Sequence, residues 1–243
     1  MKVTFDATGV VVVITGGAQG IGAALAAAIT SYGGTAVVFD VVRPADPAVV
    51  FVEVDVADRE AVSRAVAGVV ADYGRIDGLV VGAAVQPRSS VLELDPAEWT
   101  HTLQVNLDGV VWACQAVVPH MVAQRSGSVV MFTSGMAATG FPGASAYATS
   151  KAGVVAFAKT LAAEVAPDRV RVNVLAPGVI DTEQFRSANQ SADREHWRET
   201  IGIGDPEDVV GPLLFLLSDA ATMTGSTLTR ERAYSVRLPG SDL

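Results

Sequence analysis

The chain has 243 residues, half of them hydrophobic, with a formal net charge of −9 at pH 7. That length fits a single α/β domain, and the acidic balance excludes the Lys and Arg clusters that neutralise a nucleic-acid backbone. Only 18% of the residues are charged, against roughly 25% in ordinary globular chains, which suggests surface covered in a homo-oligomer, a dimer or tetramer.

No charged side chain occurs from Thr8 to Phe39, yet the glycines within that stretch cut it into pieces shorter than the roughly 20 apolar residues a bilayer requires. Asp6 and Gly9 interrupt any signal-like run after Lys2. A cytoplasmic protein with no membrane partner is therefore expected. The single cysteine, Cys114, fits a reducing compartment and reads as buried filler. His101, His120 and His196 show no ligand spacing, so no metal is expected.

The first element runs through Val10-Val11-Val12-Val13-Ile14, a β-branched strand suited to cover on both faces. Gly16, Gly20 and Gly22 follow, then a helix-like segment from Ala23 to Ile29. Glycines allow a sharp turn and close approach of a ligand, and a helix N-terminus offers N–H groups to a pyrophosphate. This is a dinucleotide-binding arrangement, although a tight structural turn has the same local signature. A second strand, Thr35 to Phe39, ends in Asp40, about 20 positions beyond the glycines, where an acid can hold ribose hydroxyls and repel a 2′-phosphate. That favours NAD over NADP; Arg43 is near enough to blur the assignment.

Val49 to Val54 is the third strand, followed by Asp55 and Val56. Asp58 opens a helix from Arg59 to Tyr73 with an apolar stripe at Val62, Val66, Val69 and Val70, so Asp55 is either a ligand contact or part of the turn and cap. Ile76 to Val81 is the fourth strand, and Gln86 to Ser90 a loop at its ligand-facing end. Pro96 begins a long helical region reaching about Gln124. Gly127 to Thr133 is the fifth strand, closed by Ser134, and Val170 to Leu175 the sixth. The helical stretches Leu107 to Val122 and Ala144 to Val165 are apolar nearly all round, which calls for cover on both sides. Glu183 to Ile201 is polar and reads as a lid within 182–205, its arginines Arg186, Arg194 and Arg198 serving as a solvated face or as an anion clamp. Pro206 begins the last helix, and Met223 to Leu228 leads the final strand, with 229–243 as its end and tail.

The Thr15-Gly16-(three residues)-Gly20-Ile21-Gly22 loop, Ser134 and, thirteen positions later, Tyr147-Ala148-Thr149-Ser150-Lys151 together resemble the short-chain dehydrogenase/reductase family. The resemblance spans Val10 through Leu228 and implies a doubly wound Rossmann fold, with a mostly parallel seven-stranded sheet and helices on both faces. It also implies a catalytic set of Asn106, Ser134, Tyr147 and Lys151, with Asn106 bending its helix and seating a relay water. Cofactor contacts are implied at Gly16, Gln19, Gly20, Ile21, Gly22, Asp40, Asp55, Val56, Ala83, Tyr147 and Lys151, and at Pro177, Gly178, Ile180 and Thr182 around the nicotinamide. Two stretches depart from the family: Val81-Gly82-Ala83-Ala84 lacks the usual asparagines, and Arg230-Glu231-Arg232-Ala233 replaces the usual Val-Asp-Gly-Gly.

Lys151, one helical turn from Tyr147, is expected to lower the phenol pKa, so that Tyr147 serves as general acid and base. The expected activity is NAD-dependent interconversion of a secondary alcohol and a ketone. The alternatives are a 3-oxoacyl-thioester reductase and a cofactor-binding regulator without turnover. Val85, Met136, Phe141, Phe185 and Trp197 are expected to line an apolar substrate pocket suited to hydrophobic or cyclic substrates.

Overall fold

The computed structural model describes residues 4–189 and 191–230. Among them seven strands form one sheet, parallel throughout: β1 (Val11–Thr15), β2 (Thr35–Asp40), β3 (Val50–Glu53), β4 (Gly78–Val81), β5 (Gly127–Phe132), β6 (Val170–Ala176) and β7 (Thr227–Thr229). Their order is β3-β2-β1-β4-β5-β6-β7. The chain moves outward from β1 to β3, then returns to place β4 on the other side of β1. A crevice opens at the carboxyl ends of β1 and β4 where the winding reverses, which is where open α/β sheets bind ligands.

The helices between strands form two layers because β1 alternates its side chains. Val11 and Val13 face a core shared with α2 (Arg59–Tyr73), α4 (Gly109–Gln124) and α6 (Ser145–Val165). Val12 and Ile14 face the other core, with α1 (Gly20–Ser31) and α9 (Glu207–Leu217). Each fully buried Val, Leu or Ile contributes about 1.5–3 kcal/mol, so a polar substitution on either face of β1 disrupts a core.

Several boundaries differ from the sequence expectation, for identifiable reasons. Ile76 is buried but lies before β4, because the Gln124 side chain pairs with both its N–H and its carbonyl. The final strand begins at Thr227, since the approach to it is held by side chains: Thr224 Oγ1 accepts from Val172 N–H, and the Asn173 amide bonds Met223 and Ser226. The long helical region is α3 (Pro96–Leu103), a π turn at Gln104–Asp108, and α4. Asn106 sits in that turn. A short helix absent from the sequence reading, α5 (Met136–Thr139), follows Ser134.

The N-terminus of α2 settles which aspartate caps it. Asp58 Oδ1 accepts from the N–H groups of Glu60 and Ala61, and Gly74 ends the helix at φ 73°. Asp55 instead closes a turn of its own on Ala57 N–H. Asp58→Ala is expected to lower stability by about 1 kcal/mol, read as a drop of about 3 °C in Tm with m-value unchanged. No drop would mean that solvent replaces this cap without cost.

Beyond β6 the chain forms α7 (Glu183–Ala188) and α8 (Ser191–Thr200), and returns through backbone bonds of Asp181 N–H to Gly204 and of Gly204 N–H to Val179. No described helix is long and apolar enough to cross a membrane.

Candidate active site

The cleft above the carboxyl ends of β1 and β4 has a volume of about 500 Å³. Its walls include every residue expected to hold a cofactor, from Gly16, Gln19, Gly20, Ile21 and Gly22 through Asp40, Asp55, Val56 and Ala83 to Pro177, Gly178, Ile180 and Thr182. Ser134, Tyr147 and Lys151 open on the same space.

The glycine loop fits a dinucleotide on its own geometry. Gly16 has φ 68°, and a Cβ there would lie 2.5 Å from the Ala83 nitrogen. A Cβ on Gly22 would strike the Gly16 carbonyl, so the start of α1 presses on the loop with no side chain between. Gln19 at the head of α1 makes no side-chain cap, and the first turn carries no acid. The first-turn N–H groups and the positive end of the helix dipole are therefore left to an anion such as a pyrophosphate.

The segment 82–85 keeps its place without the family's asparagine side chains. Thr15 accepts from Gly82 N–H through its carbonyl at 2.9 Å and its hydroxyl at 3.2 Å, and from Ala83 N–H through that hydroxyl at 3.4 Å. Gln184 Nε2 donates to the Ala84 carbonyl. Asn106 takes both polar groups of Val85, accepting its N–H at 2.8 Å and donating to its carbonyl at 2.9 Å, and donates also to Ser150 Oγ. Fully buried, with both amide hydrogens committed, the Asn106 side chain clips the loop after β4.

At the far end, Asp40 accepts from Ala18 N–H and Val42 N–H, bracing the glycine loop from the tip of β2. Arg43 lies with its guanidinium 4.7 Å above the Phe51 ring and is not part of the cleft wall. The residue after Asp40 is Val41, which does line the cleft and carries no charge.

The electrostatics differ from the sequence expectation. Burial holds the Tyr147 phenol above its ordinary pKa, and the groups acting against burial are the Ser134 hydroxyl and the Arg88 guanidinium. Lys151 Nζ lies 5.8 Å from the centre of the Tyr147 ring, and burial pushes its own pKa down to about 8. A lysine one turn away lowers a phenol only if it stays fully charged and close; here desolvation weighs on both groups. Burial likewise drives the Cys114 thiol well above its usual range, which leaves it unreactive.

Four of the five expected pocket residues, Val85, Met136, Phe185 and Trp197, line the cleft. Phe141 does not. It stacks on Trp197 at 5.6 Å beneath Arg88, outside the wall and partly exposed. Arg186 and Arg198 face solvent in ion pairs with Asp181 and Glu195. Besides Lys151, the cation whose charge acts on Tyr147 is Arg88, in the loop that sequence reading marked as ligand-facing without naming it. Gln86, Gln184 and Asn189 also join the wall and make it more polar than expected. Among the described residues no three His, Cys, Asp or Glu side chains gather as a metal would require.

The model of the short chain dehydrogenase family matches residues 10–193. The chain belongs to that family. Among its relatives, a 3-oxoacyl-[acyl-carrier-protein] reductase of Thermotoga maritima is 36% identical over 239 residues, covering 90% of this chain and 95% of the relative. A probable galactose dehydrogenase of Rhizobium meliloti is 35% identical over 234 residues, covering 89% and 91%. The ligand-free structure of the Thermoplasma acidophilum aldohexose dehydrogenase superposes with a TM-score of 0.86 at 28% identity over 96% of each chain. This short-chain dehydrogenase is thus an oxidoreductase with the parallel Rossmann-like sheet of its relatives.

Arg230 fills the place of one residue in the altered C-terminal motif. Its N–H joins Ala176, its carbonyl meets Gly178, and its guanidinium pairs with Asp208 at 2.9 Å, so it ties the Pro177–Gly178 turn to the start of α9. Glu231, Arg232 and Ala233 lie outside the described residues.

Proposed function

We propose that this enzyme interconverts a secondary alcohol and a ketone with NAD(H), using Tyr147 as general acid and base. The observation that carries the reading is the opening of Ser134, Tyr147 and Lys151 on the same cleft as the glycine loop and Asp40. A nicotinamide held by the glycine loop, Asp40 and Lys151 would supply or accept the hydride. Ser134 Oγ accepts from Met136 N–H and its hydroxyl hydrogen-bonds the Tyr147 phenol, so a substrate oxygen entering between the two would take over the Ser134 hydrogen. Tyr147 gives that oxygen a proton in reduction and takes one in oxidation. Lys151 would hold the nicotinamide ribose, and the Ile180 backbone with the Thr182 hydroxyl would receive the carboxamide. Thr182 already accepts from Phe185 N–H and still has a hydrogen to donate. The α7–α8 segment forms a lid over the substrate, and Asn106 positions the loop it covers.

A cytoplasmic homo-oligomer accords with the unpaired Cys114 and with α4 and α6, where Trp112, Val155 and Phe157 are left half-buried. The test is NADH and NADPH absorbance across secondary alcohols and ketones. Turnover of simple ketones with NADH supports the reading. Preference for 3-oxoacyl thioesters with NADPH would move it to the activity named for the Thermotoga relative. Cofactor binding with no turnover on any substrate would leave a regulator.

NAD preference rests on Asp40 and the uncharged Val41. Asp40→Ser with Val41→Arg removes the repulsion and adds a charge-assisted donor for a 2′-phosphate, together roughly 3 kcal/mol or a 100-fold change in the NADH/NADPH ratio of kcat/KM. An unchanged ratio would return Asp40 to a purely structural turn.

A further inference from the structure

Two strong donors, Gln86 in the wall of this cleft and Arg88 in the wall of a neighbouring hollow, are aimed at a poor acceptor. Arg88 Nη1 lies 3.7 Å from Met136 Sδ, and Gln86 Nε2 lies 4.0 Å from the same sulfur. A thioether accepts hydrogen bonds weakly, whereas guanidinium and amide N–H groups are among the best donors a protein has. The remainder of Arg88 is fixed. Its Nη2 donates to Asn189 Oδ1 at 2.8 Å, its Nε to the Ala188 carbonyl at 3.3 Å, and its plane rests on Phe141. Asn189 is itself held through Phe185. The guanidinium is thereby held in place, with one edge turned to the sulfur.

The position of this sulfur matters. Met136 stands two residues beyond Ser134 and lines the main cleft. A second hollow of about 380 Å³, walled by Gln86, Arg88 and Asn189, shares Gln86 and Asn189 with that cleft. A substrate whose carbinol meets Tyr147 and Ser134 and extends past Met136 would bring its far end to the shared wall at Gln86. Arg88 is close enough for its charge to act on Tyr147, which sets the two at one site.

We propose that Gln86 and Arg88 form a polar subsite that takes a second, uncharged oxygen of the substrate, so that this dehydrogenase acts on diols and polyols in preference to plain secondary alcohols. The inference rests on the dehydrogenase reading and narrows it. The oxygen is uncharged because Asp193 already acts on Arg88 as its nearby anion, so a substrate carboxylate would meet a carboxylate as well as the guanidinium. A hydroxyl accepts from both donors without that repulsion. The subsite also explains why the wall is more polar than its aliphatic residues suggest.

The experiment compares kcat/KM for 2-butanol with that for 2,3-butanediol and 1,3-butanediol, and for cyclohexanol with that for the cyclohexanediols, with 3-hydroxybutyrate as the anionic arm. The parent is expected to prefer its best diol at least about tenfold, the equivalent of one hydrogen bond to a charged donor. Gln86→Leu is expected to collapse that ratio to within about threefold, chiefly through the KM of the diol. Gln86 is the decisive position, since Arg88→Met also unties Asn189. A parent without diol preference, or a ratio unmoved by Gln86→Leu, overturns the subsite while plain-alcohol turnover leaves the dehydrogenase standing. Preference for 3-hydroxybutyrate overturns the uncharged assignment. Calorimetric binding of diol and mono-alcohol to NAD-loaded Tyr147→Phe protein reads the same preference without turnover. If the diol binds no tighter there, the subsite falls; if it does and the parent turns over no substrate, only the dehydrogenase reading falls.

Discussion

Tyr147→Phe is expected to reduce kcat by a factor of about 10²–10⁴ while the affinity for NADH stays within a few-fold. The substitution removes one oxygen from a ring that packs beside Lys151, and leaves the glycine loop, Asp40 and the Pro177–Gly178 turn untouched. Loss confined to kcat is the signature of a group that acts in the transition state. Because burial raises the phenol pKa, Tyr147 stands protonated at neutral pH and is ready to donate in ketone reduction. Alcohol oxidation requires the phenolate, so its rate is expected to climb as pH rises beyond neutrality, while reduction stays level until the pH approaches the raised phenol pKa. The paired pH profiles with NAD and NADH check this. An oxidation rate flat from pH 7 to 10, or a Phe variant of near-parental kcat, would remove Tyr147 from the proton step.

Arg88 contributes to that phenol and was not legible from the chain. Its contacts are to Ala188 and Asn189, and the second of these spans 101 residues of sequence. No local spacing reveals such a pairing. The same holds for Gln184 reaching Ala84, and for Thr15 holding Gly82 and Ala83 across the switch between β1 and β4. By contrast, the glycine loop, Asp40 and the Tyr147–Lys151 pair are short-range patterns, whose placement follows once the strand ahead of them is recognised. The two-sided valines of β1 and the stripe of α2 identified the sheet and its cover for the same reason.

What the sequence left undecided shares a cause as well. Phe141 lies six residues before Tyr147 and is apolar, which made it a pocket residue on paper; its ring instead completes an aromatic stack with Trp197 under Arg88. The Tyr147–Lys151 spacing was read correctly, but its electrostatic consequence depends on burial, and burial belongs to the fold. Asn106 was recognised by its neighbours in sequence, while the partners that use up its amide, Val85 and Ser150, come from two other segments.

Burial of Lys151 carries a cost that the pH dependence of stability should expose. Its pKa falls from 10.5 to about 8 in the folded protein because desolvation penalises the ammonium. Between those values the unfolded chain binds more protons than the folded one, so stability rises with pH across that window. Below pH 8 both states are protonated and the full penalty stands, roughly 3 kcal/mol from the shift. Above 10.5 both are neutral and it vanishes. Lys151→Met keeps the length of the side chain without the charge, and is expected to raise stability at pH 7 by up to that amount while abolishing turnover. The gain over the parent should shrink steadily from pH 8 to 10.5. Denaturant melts of both proteins at pH 7, 9 and 10.5 measure it directly. An enzyme that keeps a charged lysine in a dry site against this cost does so for its chemistry, so a Met variant that is less stable at pH 7 would mean that Lys151 is held by interactions strong enough to outweigh burial.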